Sequence, residues 1–392
     1  MNHRRMSANA EKTRDQKPKT PKSQAYPAWA PRFWHGMSTS DWLRVLARNR
    51  FRIHPLRLGL AFTITCTTPF NSALRLLTHW LYGRKIEATK IEHPPVFIIG
   101  HWRSGTTHLH ELLVRDDRFA FPTTYDCFAP SHFLISSRIL PRLLGFLLPR
   151  KRPMDNVLAG FDRPQEDEFA LASLGCPTPY LRMVFPNEPP CHMELLDMQD
   201  VAEDVLTRWK RDVVWFVKAL TLHTQKPLIL KSPPHTGRIA VLSELFPGAR
   251  FIHMTRDPYT LFASTRRLWP SLDSVQGLQV PRNKYLDEYV FTCFERMYQG
   301  FERQRPTIAA KRICDVRYED LVRDPIGQVR AIYEQLDLGD FDRIQDSLQA
   351  YLCDQQDYQP NRHETLDEDI RAEIRRRWRG YAEKYGYAQS LT

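Results

Sequence analysis

The chain reads as an α/β protein in which a central parallel sheet carries helices on both faces, and three observations say so. Short apolar runs alternate with stretches of helical periodicity, the pattern of a parallel sheet covered by helices. Prolines and capping residues stand where helical stretches begin. A turn holding two glycines joins the first apolar run to the first helix of the alternating region.

Each element can be justified in order. Val96, Phe97, Ile98 and Ile99 form a buried strand, and Leu109, Leu112 and Leu113 follow at helical spacing. Val205, Trp209, Val213, Phe216 and Leu220 mark one face of a long helix. Residues 228–230 are a second strand, and Ile239, Leu242, Leu245 and Phe246 mark the helix after it. Residues 250–254 are a third strand, with Pro258 opening the next helix at a position that tolerates proline. Leu286, Val290, Cys293, Met297 and Phe301 give another long helix. Residues 313–316 are a fourth strand, after which Asp324 caps a helix with Pro325 in its first turn. A basic C-terminal helix turns Ile370, Ile374, Trp378 and Tyr381 inward and Arg371, Arg375, Arg376 and Arg377 largely to solvent.

The chain ahead of the sheet is different. Residues 1–28 are basic and almost without apolar side chains, which predicts a disordered tail. Residues 29–93 read as a helical extension, and 94–388 as the main domain. Residues 56–82 are apolar, but Arg57, Asn71, Arg75 and His79 interrupt them and Pro69 breaks them. That predicts two short amphipathic helices rather than a membrane span. They either pack on the core or lie in a membrane interface.

Hydrophobic residues at 42% suit a soluble globular protein, and a net charge of +11 points to anionic partners: nucleotides, phosphate or sulfate esters, acidic lipid surfaces or nucleic acid. Basic and aromatic residues do not interleave into a stripe, so no nucleic-acid-reading module is expected. The seven scattered cysteines form no CxxC pair or Cys/His cluster, which predicts no metal site and no disulfide framework. A reducing cytosol is the simplest compartment. No short apolar stretch with a cleavage site follows the first basic residues, so no signal peptide is expected.

The segment from Phe97 to Leu113 carries the chemistry. A buried strand enters Gly100, Gly105 comes five positions later, and Thr106-Thr107 open a helix. Such a turn aims several backbone N–H groups at one point, where an anion sits readily. The candidates to line it are His101, Trp102, Arg103, Ser104, Gly105, Thr106 and Thr107. The spacing is that of a nucleotide P-loop, except that Thr106 occupies the lysine position. A P-loop kinase-like phosphotransferase is the alternative activity, and it would use that lysine with Mg²⁺.

The run Arg103-Ser104-Gly105-Thr106-Thr107 resembles the 5′-phosphosulfate loop of sulfotransferases. Arg256-Asp257-Pro258 after the third strand, with Ser264 eight residues beyond Arg256, is similar to that family's 3′-phosphate pair. Tyr318-Glu319-Asp320-Leu321 resembles a segment near its nucleotide, which implies that Tyr318 meets the adenosine end. The likeness covers roughly residues 94–388 and looks closest to bacterial-type members. It implies a P-loop-NTPase-like three-layer fold, 3′-phosphoadenosine 5′-phosphosulfate (PAPS) as donor, no obligatory metal, and transfer to an acceptor hydroxyl or amine.

The resemblance also assigns roles. Lys231, followed by Ser232, matches the lysine that serves as cation and proton donor to the bridging oxygen. Cytosolic members place a basic histidine two residues later, but Pro233 stands there, and His235 lies further on. Golgi-type members use a glutamate after the loop. The candidates for the base are Glu166 or Glu168 first, then Asp126 or His132, with His235 and other residues still open. The plain alternative for the acidic run is helix-dipole complementation, with Asp162 and Gln165 as a capping box. Asn361-Arg362-His363 corresponds to a basic segment that helps hold the 3′-phosphate in relatives. The acceptor stays open: apolar loops between 128 and 148 point to a lipidic or amphipathic alcohol, with a carbohydrate or small phenol as alternatives. The expected location is cytoplasmic, with peripheral association on the inner face of a membrane.

Overall fold

The four apolar runs become four strands among the described residues: β1 is Val96–Ile99, β2 Ile229–Lys231, β3 Arg250–Thr255 and β4 Ile313–Arg317. They pair in the order β2-β1-β3-β4, every neighbour parallel. In this computed structural model, residues 30–147, 160–354 and 366–391 are described. The basic tail and the Asn361-Arg362-His363 segment lie outside them.

Side chains alternate across the sheet, so each strand feeds two cores. Phe97, Ile99, Leu230 and Phe251 enter the larger one, with Trp209, Phe216 and Phe294. Val96, Ile98, Ile252 and Met254 enter the other, with Leu112, Val329 and Tyr333. Helices on both faces are therefore a requirement of the sequence, and the three-layer expectation holds.

The helices follow in chain order. α1 is Thr39–Arg48 and α2 Leu58–Ala88. α3, Thr106–Leu113, follows β1, then come the short helices α4 Thr124–Phe128, α5 Phe133–Ser136 and α6 Leu140–Leu144. α7, Asp167–Ser173, and the long α8, Glu203–Thr224, precede β2. α9 is Ile239–Leu245, α10 Pro258–Gln276 and α11 Leu286–Gln304. After β4 come α12 Tyr318–Arg323, α13 Pro325–Leu336, α14 Asp342–Asp354, α15 Glu368–Arg377 and α16 Arg379–Lys384. Asp257 and Asp324 cap α10 and α13 through the N–H groups of Thr260 and Gly327. The C-terminal helix is two helices hinged at Trp378, whose ring stacks on Phe294.

The extension corrects one expectation. Residues 58–88 are a single 31-residue helix that runs through Pro69. Proline cannot donate to the carbonyl four residues back. Here the Thr68 hydroxyl donates to that carbonyl, on Thr65, at 3.0 Å. Asn71 then clamps the turn to the preceding segment, donating to the carbonyls of His35 and Met37. Local side-chain bonds and tertiary contacts thus offset the broken backbone bond. Among the described residues no helix is long and apolar enough to cross a membrane.

Candidate active site

The loop after β1 is shaped by its two glycines. Gly100 has φ +137°, and a Cβ there would lie 2.5 Å from the Met254 carbonyl oxygen. Its N–H donates to Thr236 Oγ1 at 2.8 Å, which pins the loop to the segment after β2. Gly105 has φ +101° and caps α3; a Cβ there would come 2.3 Å from the Tyr318 ring. Only glycine gives both the backbone angle and the space. Inside the loop Ser104 Oγ is buried and has no hydrogen-bond partner among the described residues.

The other loop residues divide by direction. His101 and Trp102 point down into the core. Burial drives the His101 ring down to about 3, so it is neutral, and Trp102 packs edge-on against Trp269. Their side chains support the loop from beneath. Thr106 is buried in the first turn of α3, while Thr107 is half-buried and turned toward Lys231.

The second phosphate motif meets the first. Arg256, just past β3, donates from Nη1 to the Arg103 carbonyl at 2.9 Å, with its guanidinium 4.2 Å from the Tyr318 ring centre. Arg103 Nε donates to Ser264 Oγ at 2.9 Å. Residues 103, 256, 264 and 318 therefore converge from four segments of the chain. Burial pulls the Arg256 pKa below its ordinary value and the Arg103 charge adds to this, against the opposing effect of Tyr318. Two crowded guanidinium groups beside backbone N–H groups make a place that an anion stabilises. Tyr381 holds the Arg256 backbone on both sides, accepting from its N–H and donating to its carbonyl, each at 2.9 Å.

The acidic run forms the opposite wall. α7 begins at Asp167 with Glu166 at its cap, so the expected capping box of Asp162 and Gln165 does not form; Gln165 instead accepts from the Glu166 N–H. Three consecutive acids take three partners from one short segment. Glu166 pairs with Lys231, Asp167 with His235 and Glu168 with Arg238, each at 2.7 Å. Glu168 and Arg238 have no exposed side-chain surface, and Glu168 also accepts from Thr178 and Ser232. Glu166 keeps 15% of its side chain exposed. Its second oxygen accepts the Tyr180 hydroxyl, which itself accepts from Trp102 Nε1 at 2.8 Å. Burial and the Glu166 charge hold the Tyr180 phenol well above its ordinary range, so it remains a donor. Lys231 Nζ also reaches Thr107 Oγ1 at 3.4 Å, so it stands between loop and carboxylate.

The remaining acid and base candidates are held in structural bonds. Asp126 forms a capping box with Thr123 at the start of α4. His132 bonds Ser136 and Asn71, and burial lowers its ring to about 4. His235 is wholly buried against Asp167. Tyr180 and Thr236 were not singled out by sequence reasoning, and Tyr381 was read only as an inward-facing residue of the C-terminal helix; Tyr180 and Thr236 lie on 3-10 turns that open with Pro179 and Pro233. Among the described residues no group of His, Cys, Asp or Glu is placed to hold a metal ion. Changing Arg238 to methionine strands the Glu168 carboxylate in the core. Denaturant unfolding should show a loss of about 3–5 kcal/mol, and a loss below about 1 kcal/mol would mean the pair is not structural.

Comparisons with known proteins bear on the family and the fold. A sequence model described as the sulfotransferase family matches residues 94–343. The chain is 42% identical over 359 residues, 92% of each chain, to the omega-hydroxy-beta-dihydromenaquinone-9 sulfotransferase Stf3 of Mycobacterium bovis, and equally so to that of Mycobacterium tuberculosis. Among solved structures, sulfotransferase STF9 from Mycobacterium avium superposes with a TM-score of 0.61 at 19% identity, covering 89% of this chain and 96% of that one. Sulfotransferase STF1 from Mycobacterium tuberculosis gives 0.58 at 17%, covering 88% and 94%. At these identities the two structures speak for the fold alone.

Proposed function

Since the chain belongs to the sulfotransferase family, we propose that it transfers a sulfuryl group from PAPS to the hydroxyl of an amphipathic lipid. It works in the cytoplasm, peripherally on the inner face of a membrane. The observation that carries the donor assignment is the meeting of Arg103, Arg256, Ser264 and Tyr318 around the Gly100–Gly105 turn, with Lys231 and Glu166 facing the same loop. The residues fit such a donor: Ser104 offers a buried hydroxyl, and the two glycines let the turn close against Met254 and Tyr318.

Bound there, PAPS supplies the sulfuryl group and a bisphosphate leaving group. The loop N–H groups, Ser104 and the helix N-terminus at Thr106-Thr107 hold the 5′-phosphate. Arg256 and Ser264 hold the 3′-phosphate, with Arg103 beside them, and the Tyr318 ring faces the adenosine end. In-line transfer gathers charge on the leaving oxygen and requires a cation there and a base for the acceptor proton. Lys231 is that cation: a small turn takes its ammonium from Glu166 toward the loop. The same turn frees Glu166 Oε1 to take the acceptor proton, while Tyr180 keeps Oε2 oriented. Glu168, wholly buried and tied to Arg238, serves the scaffold instead.

The relatives at 42% identity are named for omega-hydroxy-beta-dihydromenaquinone-9. An omega-hydroxylated lipid of that class is the acceptor proposed here, ahead of a carbohydrate. The test is thermal stabilisation by adenosine 3′,5′-bisphosphate, AMP and ATP without metal, and by ATP with Mg²⁺, on wild type and Arg256→Ala. A ligand that binds only the native state adds about 2.7 kcal/mol at a hundredfold its Kd. The bisphosphate should raise the melting temperature selectively, and Arg256→Ala should lose most of that rise. Stabilisation by ATP with Mg²⁺ and none by the bisphosphate would overturn the donor assignment.

A further inference from the structure

α2 is apolar on part of its outward side as well as where it packs on the protein through Ala61, Ile64 and Ile86. Thr68, Asn71 and Thr78 lie on its buried face, each with its polar group bonded inside the protein. The outward face carries Leu58, Phe62, Leu76 and Trp80 along one line of the helix, with exposed Phe70 about a third of a turn away. Phe62 is 69% exposed, Leu76 70% and Trp80 79%. From Leu58 to Trp80, at 1.5 Å per residue, this face is about 33 Å long. Scattered exposed leucines need no explanation, but a continuous stripe of this length marks a surface that something covers.

Charge says what covers it. Between Asp41 and Glu87 the sequence has no acidic residue. Arg57 stands at one end of α2, and Arg84 and Lys85 at the other; Arg75 in the middle is paired with Asp41. In the segment ahead of α2, Arg48, Arg50 and Arg52 line a cavity of about 470 Å³ together with Arg182; Arg52 is paired with Glu188 and Arg182 with Asp273. A second copy laid antiparallel along α2 would bring Arg57 against Arg84 and Lys85, with Glu87 the one carboxylate of the helix against three cations. An anionic lipid surface satisfies the apolar stripe and the basic ends together.

We infer that α2 lies flat in the surface of an anionic bilayer, with the Leu58-to-Trp80 face among the acyl chains and the basic ends on lipid phosphates. This extends the peripheral association proposed above by naming the surface and the lipid charge. For its biological use it rests on the lipid-acceptor reading, but its test does not need turnover.

The full chain is sedimented with vesicles of phosphatidylcholine alone and of phosphatidylcholine with phosphatidylglycerol. The protein should pellet with the anionic vesicles and far less with the neutral ones. The triple variant Phe62→Ser, Leu76→Ser, Trp80→Ser should weaken that binding by about tenfold or more. Arg84→Glu with Lys85→Glu should abolish the preference for anionic vesicles. Because these side chains are exposed, each variant should keep the bisphosphate-induced melting shift, which also shows that it is folded. Wild type that fails to pellet, or a triple variant that pellets like wild type, overturns the docking. So does wild type that sediments as a dimer in ultracentrifugation while the triple variant is a monomer, since a second copy then covers the face. Loss of the bisphosphate shift in wild type with vesicle binding intact would overturn the donor assignment alone.

Discussion

Replacing Lys231 by methionine will lower kcat by about a hundred- to a thousandfold while leaving the bisphosphate-induced rise in melting temperature in place. The side chain is 2% exposed and its ammonium lies between Thr107 of the loop and Glu166. Methionine fills nearly the same volume, so the change removes a charge without opening a cavity. A cation aimed at the leaving oxygen is worth most in the transition state, which is why the loss should fall on kcat rather than on nucleotide affinity. If instead the melting shift vanished and kcat at saturation were unchanged, Lys231 would be a nucleotide-binding residue and the transfer would need another cation.

Replacing Glu166 by glutamine should cost about a hundred- to ten-thousandfold in kcat, the range of a lost general base. The amide keeps an oxygen for Tyr180 or Lys231 but cannot take the acceptor proton. Glu168→Gln is the control: it disturbs the buried pair with Arg238, and its main effect should be on stability. Turnover assays paired with melting curves separate the two carboxylates. A Glu166→Gln enzyme with wild-type kcat would move the base elsewhere and leave Glu166 as a positioning partner for Lys231. The neighbouring Asp126 would then be the next variant to make, even though its carboxylate accepts the Thr123 N–H at 2.9 Å.

Much of the architecture was legible because it is written locally. A strand buried on both faces reads as an unbroken apolar run, and all four runs became strands. The helix opened by Pro258 and the Asp324-Pro325 cap depend only on a few adjacent residues, and both form as read. The two loop glycines stand where the backbone takes positive φ. Pro69 was misleading for the opposite reason. Its effect on α2 depends on Thr68 beside it and on carbonyls of His35 and Met37 more than thirty positions away.

The sequence by itself determined the parallel sheet, the two-glycine turn after its first strand and the set of residues from which a site could be assembled, since each follows from the chemistry of neighbours along the chain. Only the tertiary structure decided among three consecutive acids. Glu166, Asp167 and Glu168 are nearly interchangeable locally, and what separates them is which partner on the segment from Lys231 to Arg238 each one meets, 65 to 70 positions away. Tyr180 likewise has no periodic pattern to announce it and acquires its role from Trp102 on one side and Glu166 on the other. The physical reason is range: backbone geometry and capping are fixed within a turn or two, whereas the burial and charge partner of a side chain depend on where a distant segment returns.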